Sequence, residues 1–268
     1  MEAMARLWDD SIEIDRVAEE ISSVFNAANL RIHAFATFIP ELLDKEIHRR
    51  RNARRALLFL SKLAKILRGQ NHPVGTIEIV GGSIIEGVLP VKYKGQRCIL
   101  ANRKTTGAPE GSLLEELRDV ARSLDADGTR LAIEIEPGPL FAFSTEAGVD
   151  GLVAQIEKLE AGGELPQSLV GLNLDVGHWM LCHISPLKLR ETRIKGKIFS
   201  SHISDHSKCH TGDSIISSIT KSEVFEEWIS EINNLPKTSF SGLLSVEFEC
   251  AKNSTSLSSA VDALLNLV

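Results

Sequence analysis

Four apolar segments of this chain stop abruptly in residues that can ligate a cation, and this repetition restricts the fold more than any composition figure. Leu131-Ala-Ile-Glu-Ile-Glu136 and Gly242-Leu-Leu-Ser-Val-Glu-Phe-Glu249 end in acids. Val170-Gly-Leu-Asn-Leu-Asp-Val-Gly-His-Trp179 ends in an acid and a histidine, and Lys197-Ile-Phe-Ser-Ser-His-Ile-Ser-Asp-His206 in histidine and aspartate. Each has the length and apolar content of a strand, and α/β proteins keep their chemistry at the carboxyl ends of parallel strands. Isolated buried carboxylates are costly unless paired or bound to a cation, so four loaded strand ends call for a shared counter-charge. Asp175 and His178 stand where the most apolar of these segments stops, and Gly177 lets the backbone turn sharply between them. Such a pair suits a divalent cation; taken alone, it reads equally as an aspartate capping the next helix with a half-buried histidine beside it.

The rest of the chain alternates helix and strand. Apolar residues at helical spacing (Ile14, Val17, Ile21, Val24, Phe25) predict a helix over 12–28, and Leu30 to Thr37 alternates like a strand. Pro40 to Gly69 reads as one long helical stretch; its basic run, Arg49, Arg50, Arg51, Arg54 and Arg55, is expected to be a solvated face touching Glu41, Asp44 and Glu46. Thr76 to Val80 is a strand that closes in Gly81-Gly82 without a metal ligand. Gly87 to Pro109 reads as a loop carrying Lys92, Lys94, Arg97, Arg103 and Lys104, either solvated or facing an anionic substrate. Helices follow over 112–124, 148–159, 221–234 and 254–268. Alternation with parallel crossovers implies a parallel sheet, closed or open.

With 268 residues, 43% of them hydrophobic, the chain buries one full core, close to the roughly 250 residues of one (β/α)8 barrel. A formal charge of -6 argues against a surface built to hold nucleic acid or an anionic membrane. Cys98, Cys182, Cys209 and Cys250 lie far apart with no Cys-x-x-Cys pair, which points to reduced thiols and the cytoplasm. Neither a secretory leader nor a membrane-spanning run is expected.

With strand ends carrying Glu134, Asp175 and His178, His202, and Glu247 in that order, the chain resembles the xylose isomerase-like TIM barrels, the sugar phosphate isomerase/epimerase group related to the apurinic-site endonucleases. The resemblance runs from about Trp8 to the C-terminus and rests on Leu-Ala-Ile-Glu134, Leu-Asp-Val-Gly-His178, Ser-His202-Ile-Ser-Asp-His206 and Leu-Ser-Val-Glu247. It implies an α/β fold, a single (β/α)8 TIM barrel over residues 1–268. The first strand is then truncated to a remnant near Ala5 to Trp8, and the seventh is a short one near Thr211 to Ile216. It also implies that Glu134, Asp175, His202 and Glu247 hold one divalent ion. Three carboxylates and an imidazole form a hard site suited to manganese, magnesium, cobalt or zinc.

The expected chemistry is isomerisation or epimerisation of a small sugar, sugar phosphate or related polyhydroxy carbonyl compound. Glu134 and Glu247 serve as the acid/base pair and His178 as a hydrogen-bonding catalytic group. His33, Glu136 and His206 are expected to contact substrate. Glu136 and Glu249 are the alternatives to Glu134 and Glu247, two residues along the same strand face. Two other readings stay open. One is a metal phosphodiesterase like the apurinic-site endonucleases, supported by Asp205, His206, His210 and Asp213 but lacking that branch's Asp-x-His, since Asp213-Ser-Ile215 stands there. The other is a non-catalytic metal- or metabolite-binding barrel. The expected partner is a small carbohydrate-like molecule; self-association is left open.

Overall fold

The computed structural model describes residues 13–37, 39–43, 47–80, 112–136, 143–204, 223–240 and 244–247. Among them run six strands, β1 (Ala34–Thr37), β2 (Thr76–Val80), β3 (Arg130–Glu134), β4 (Val170–Asp175), β5 (Ile198–Ser204) and β6 (Leu244–Glu247), in one sheet whose order follows the chain. The helices are α1 (Ile14–Ala27), α2 (Ile47–Gly69), α3 (Ser112–Ala126), α4 (Glu146–Ala161), α5 (Val176–Leu181), α6 (Thr192–Lys195) and α7 (Glu223–Asn233). None of them is long and apolar enough to cross a membrane. The expected first and seventh strands, the last helix and the cationic loop lie outside the described residues.

Contacts divide the chain into two compact units. The first comprises Met1–Gly82, Thr106–Ile133 and Ala154–Gly171. Here β1 and β2 pair in parallel, Ala34 opposite Thr76 and Thr37 opposite Ile79. The core gathers Ala18, Ile32, Leu63, Ala64, Leu67 and Val74, with Ile14, Val17, Ile21 and Phe25 packed against it. The predicted stripe of α1 holds except at Val24, which is 67% exposed. Ser22 is buried in its place, because a narrow helical stripe takes i, i+3 and i+4 neighbours and Val24 falls beside it. The strand predicted over 30–37 begins only at Ala34.

The basic run on α2 finds partners that its own spacing did not point to; the expected Asp44 and Glu46 lie outside the described residues. Arg50 Nε donates to Glu116 Oε1 at 2.7 Å, and Arg54 meets both Glu116 and Asp119. Arg50 and Arg54 are one turn apart and so face the same neighbour, α3. Periodicity gives that face but not what lies across it.

The second unit comprises Ser83–Thr105, Glu134–Val153 and Leu172–Val268. Its strands β4, β5 and β6 are parallel: Asp175 lies opposite His202, which lies opposite Ser245, and Ser204 lies opposite Glu247. β4 is buried at every residue. Period-two alternation puts Leu172 and Leu174 on one face and Asn173 and Asp175 on the other. Between Leu172 and Asn173 the register slips: Leu172 opposes Ile198, but Asn173 opposes Ser200. Phe199 is the extra residue, and the slip aligns the polar positions of the two strands.

Candidate metal centre

Asp175 ends β4 and caps the helix that follows. Its backbone is extended, and its Oδ1 accepts the His178 backbone N–H at 2.8 Å. The capping role read from the sequence is therefore real, and it does more than close a helix. The cap brings His178 back over the strand end in the first turn of α5, where it is 1% exposed. Trp179, the next residue, is fully buried and packs edge-on against Trp228 of α7, ring centres 6.1 Å apart. That packing holds the short helix, and His178 with it.

Glu134 ends β3. Its Oε1 lies 3.4 Å from His178 Nδ1 and 3.8 Å from His202 Nδ1. This buried oxygen accepts no hydrogen bond among the described residues. Glu136 lies just past the strand, its Oε2 3.8 Å from His178 Nε2. His178 thus sits between two carboxylates and beside a third, Asp175. Burial would pull its pKa down, but the Glu134 contact and the charges of Asp175 and Glu136 push it up to about 9. Burial likewise opposes the Glu134 carboxylate, yet His178 and then His202 hold its pKa at about 2.

Glu134, Asp175 and His178 each offer one ligand atom, and these atoms lie within 4.8 Å of one another. Two carboxylates and an imidazole, with Glu134 Oε1 accepting no hydrogen bond among the described residues, form a donor set that fits a hard or borderline divalent cation.

His202 adjoins this group through Glu134 and through its register with Asp175. Glu247 closes β6, two residues beyond the Ser245 that faces His202 in register. His33 stands immediately before β1, at that strand's starting end, and is exposed; its carbonyl accepts the Gly75 N–H. His206, Asp205, His210, Asp213 and Glu249 lie outside the described residues.

Two polar residues of the centre escaped the sequence reading. Asn173 and Ser200 are buried on the strands that carry Asp175 and His202. Ser200 Oγ donates to Asn173 Oδ1 at 2.9 Å, and Asn173 Nδ2 lies 3.2 Å from His202 Nδ1. The only signal for them was an asparagine between two leucines in an otherwise apolar strand.

No protein-family model and no curated protein sequence matches the chain. Solved structures do. A D-tagatose 3-epimerase-like protein is similar with a TM-score of 0.62 at 12% identity, over 93% of this chain and 81% of that one. The IolI protein, solved with a bound zinc atom, gives 0.60 at 16% identity over 96% and 82%. A D-psicose 3-epimerase solved in the presence of D-fructose gives 0.60 at 11% identity over 98% and 84%.

Proposed function

We propose that this chain, which has the fold of the xylose isomerase-like TIM barrels, is a divalent-metal-dependent isomerase or epimerase of a small sugar, sugar phosphate or related polyhydroxy carbonyl compound. The observation that carries the reading is the convergence of Glu134, Asp175 and His178 within 4.8 Å at strand ends. Similarity to a D-tagatose 3-epimerase-like protein, to a D-psicose 3-epimerase and to a zinc-bound protein supports it. The same similarity supports a closed eight-stranded barrel.

Glu134, Asp175, His202 and Glu247 would hold one metal ion, with His178 beside them. When bound, the ion supplies polarisation of a carbonyl and its neighbouring hydroxyl, which acidifies the carbon between them. Glu134, held ionised by its histidine neighbours, takes a proton from that carbon, and Glu247 returns one from the other side. His178 donates to a substrate oxygen from Nε2, which lies 3.8 Å from the Glu136 carboxylate. Glu136 and His206 contact substrate hydroxyls.

The test is hydrogen exchange between ketoses and deuterated solvent, followed by NMR on the metal-loaded protein. Glu134→Gln and Glu247→Gln should each abolish exchange while circular dichroism stays unchanged. Undiminished exchange in both would remove the acid/base roles.

A further inference from the structure

We propose that the hollow between α2 and α3 is a second ligand site, which binds a small phosphorylated organic molecule through Arg51 and Arg55. It shares no residue with the metal centre and needs no metal.

From Ile47 to Gly69, α2 carries six arginines, two lysines and no acid, in a chain whose formal charge is -6. Like charges three and four residues apart repel along a helix, so such a run costs stability unless anions offset it. The run divides into two stripes. Arg50 and Arg54 face α3, where Arg50 pairs with Glu116, and Arg54 with Glu116 at 3.1 Å and with Asp119. His48, Arg51, Asn52 and Arg55 have the i, i+3, i+4, i+7 spacing of a neighbouring stripe, and all are exposed.

This second stripe lines a hollow of about 660 Å³. Leu58 adds apolar surface from α2, and Asp119 and Val120 line it from α3. The volume lies in the range of small-molecule sites, roughly 300–1,000 Å³, and a concave site of that size suits a small ligand better than a duplex or a membrane surface. Its cationic donors on α2 are arginines, since the first lysine of the helix comes only at Lys62. A guanidinium presents paired N–H groups that match a phosphate, which a lysine meets only as a point charge. Arg51 and Arg55 stand one turn apart on the same stripe, so both reach one bound group. The Leu58 side chain gives a carbon body attached to that phosphate something to rest on.

The acids nearby do not fill the site. Glu116 is engaged by Arg50 and Arg54. Asp119 is the one acid among the residues lining the hollow. Its side chain is 62% exposed, and Arg54 keeps Glu116 if an incoming anion displaces Asp119.

The experiment is a titration of the metal-free full chain with glucose 6-phosphate at constant ionic strength. It is read on the arginine Nε–Hε signals of 15N-labelled protein, at a slightly acid pH where these hydrogens exchange slowly. Arg51 and Arg55 are identified by the signals lost in Arg51→Gln and Arg55→Gln, and each reports on binding in the other's variant. Both signals should shift and saturate with glucose 6-phosphate, saturate more weakly with inorganic phosphate, and stay in place with glucose. Either variant should weaken binding about tenfold, the loss of one charge-assisted contact. Lys65→Gln removes the same charge from an exposed residue of α2 paired with Asp127, and should change binding by less than about twofold. Asp119→Asn should strengthen it about threefold, because Arg54 is released from an exposed pair.

Shifts that grow linearly with both phosphates, or an equal loss of binding in Lys65→Gln, would overturn the site. Tighter binding of duplex DNA that glucose 6-phosphate does not displace would overturn the small-molecule occupant and give these arginines to nucleic acid.

Discussion

Two buried histidines, one in each unit, are held by opposite kinds of neighbour. His72 is fully buried in the first unit, where Nδ1 accepts the Ile32 backbone N–H at 3.4 Å, Nε2 meets Ser22 Oγ at 3.1 Å, and Phe25 stands edge-on. Each nitrogen is used once, by a neutral partner. His178, 1% exposed in the second unit, is surrounded by Glu134, Glu136 and Asp175. The first arrangement is what a fold needs from a buried imidazole: its polar atoms are satisfied and no charge is enclosed. The second encloses three carboxylates around one imidazole, an excess of negative charge that stability alone does not call for.

If that contrast is right, substitutions in the two regions should separate stability from metal binding. The largest effect belongs to the acids: Glu134→Gln should weaken zinc binding by more than about 100-fold, beyond the usual loss for residues that merely support a ligand. Calorimetric titration would read it. His72→Ala should do the reverse. It loses two buried hydrogen bonds and opens a cavity, which costs about 3 kcal/mol of stability in urea unfolding and leaves zinc affinity as in wild type. A loss of zinc affinity in His72→Ala would break the comparison.

The charged neighbours of His178 also predict a pH dependence. Its pKa is raised from 6.5 to about 9. The charged imidazole therefore stabilises the metal-free fold fully below pH 6.5, and that contribution is lost as the pH rises through 9. Unfolding free energies from urea titrations in EDTA should fall on this alkaline limb by about 3 kcal/mol in wild type, and the limb should be absent in His178→Gln. The smallest effect separates the two roles of Asp175. Both Asp175→Ser and Asp175→Ala remove the ligand, but serine still caps α5, so the alanine variant should be less stable by about 1 kcal/mol.

The parts of this molecule that sequence made legible are those governed by local rules. The apolar run of Val170 to Asp175 and its abrupt polar end follow from neighbouring residue types, and the structure ends β4 at Asp175. β2 falls at Thr76–Val80 as read. Pairings across the fold were not legible in the same way. Arg50 and Arg54 meet acids 66 and 65 positions away on α3, and no spacing on α2 announces them. His33 was placed by assuming that its strand shared the register of the others, but the strand starts one residue later. The partnership of Asn173, Ser200 and His202 depends on one extra residue in β5, and a parallel register slip leaves no mark in composition or period. Most of the candidate centre was thus visible as separate strand ends, and the residues that orient it were not.

The most direct test of the central claim is the metal content of the purified protein, by elemental analysis after equilibration with manganese, cobalt or zinc and desalting, on wild type and on the double variant Asp175→Ala, His202→Ala. A strand-end metal centre predicts close to one ion per wild-type chain and none in the variant. No ion in wild type under any loading, or an ion retained equally by the variant, would contradict it.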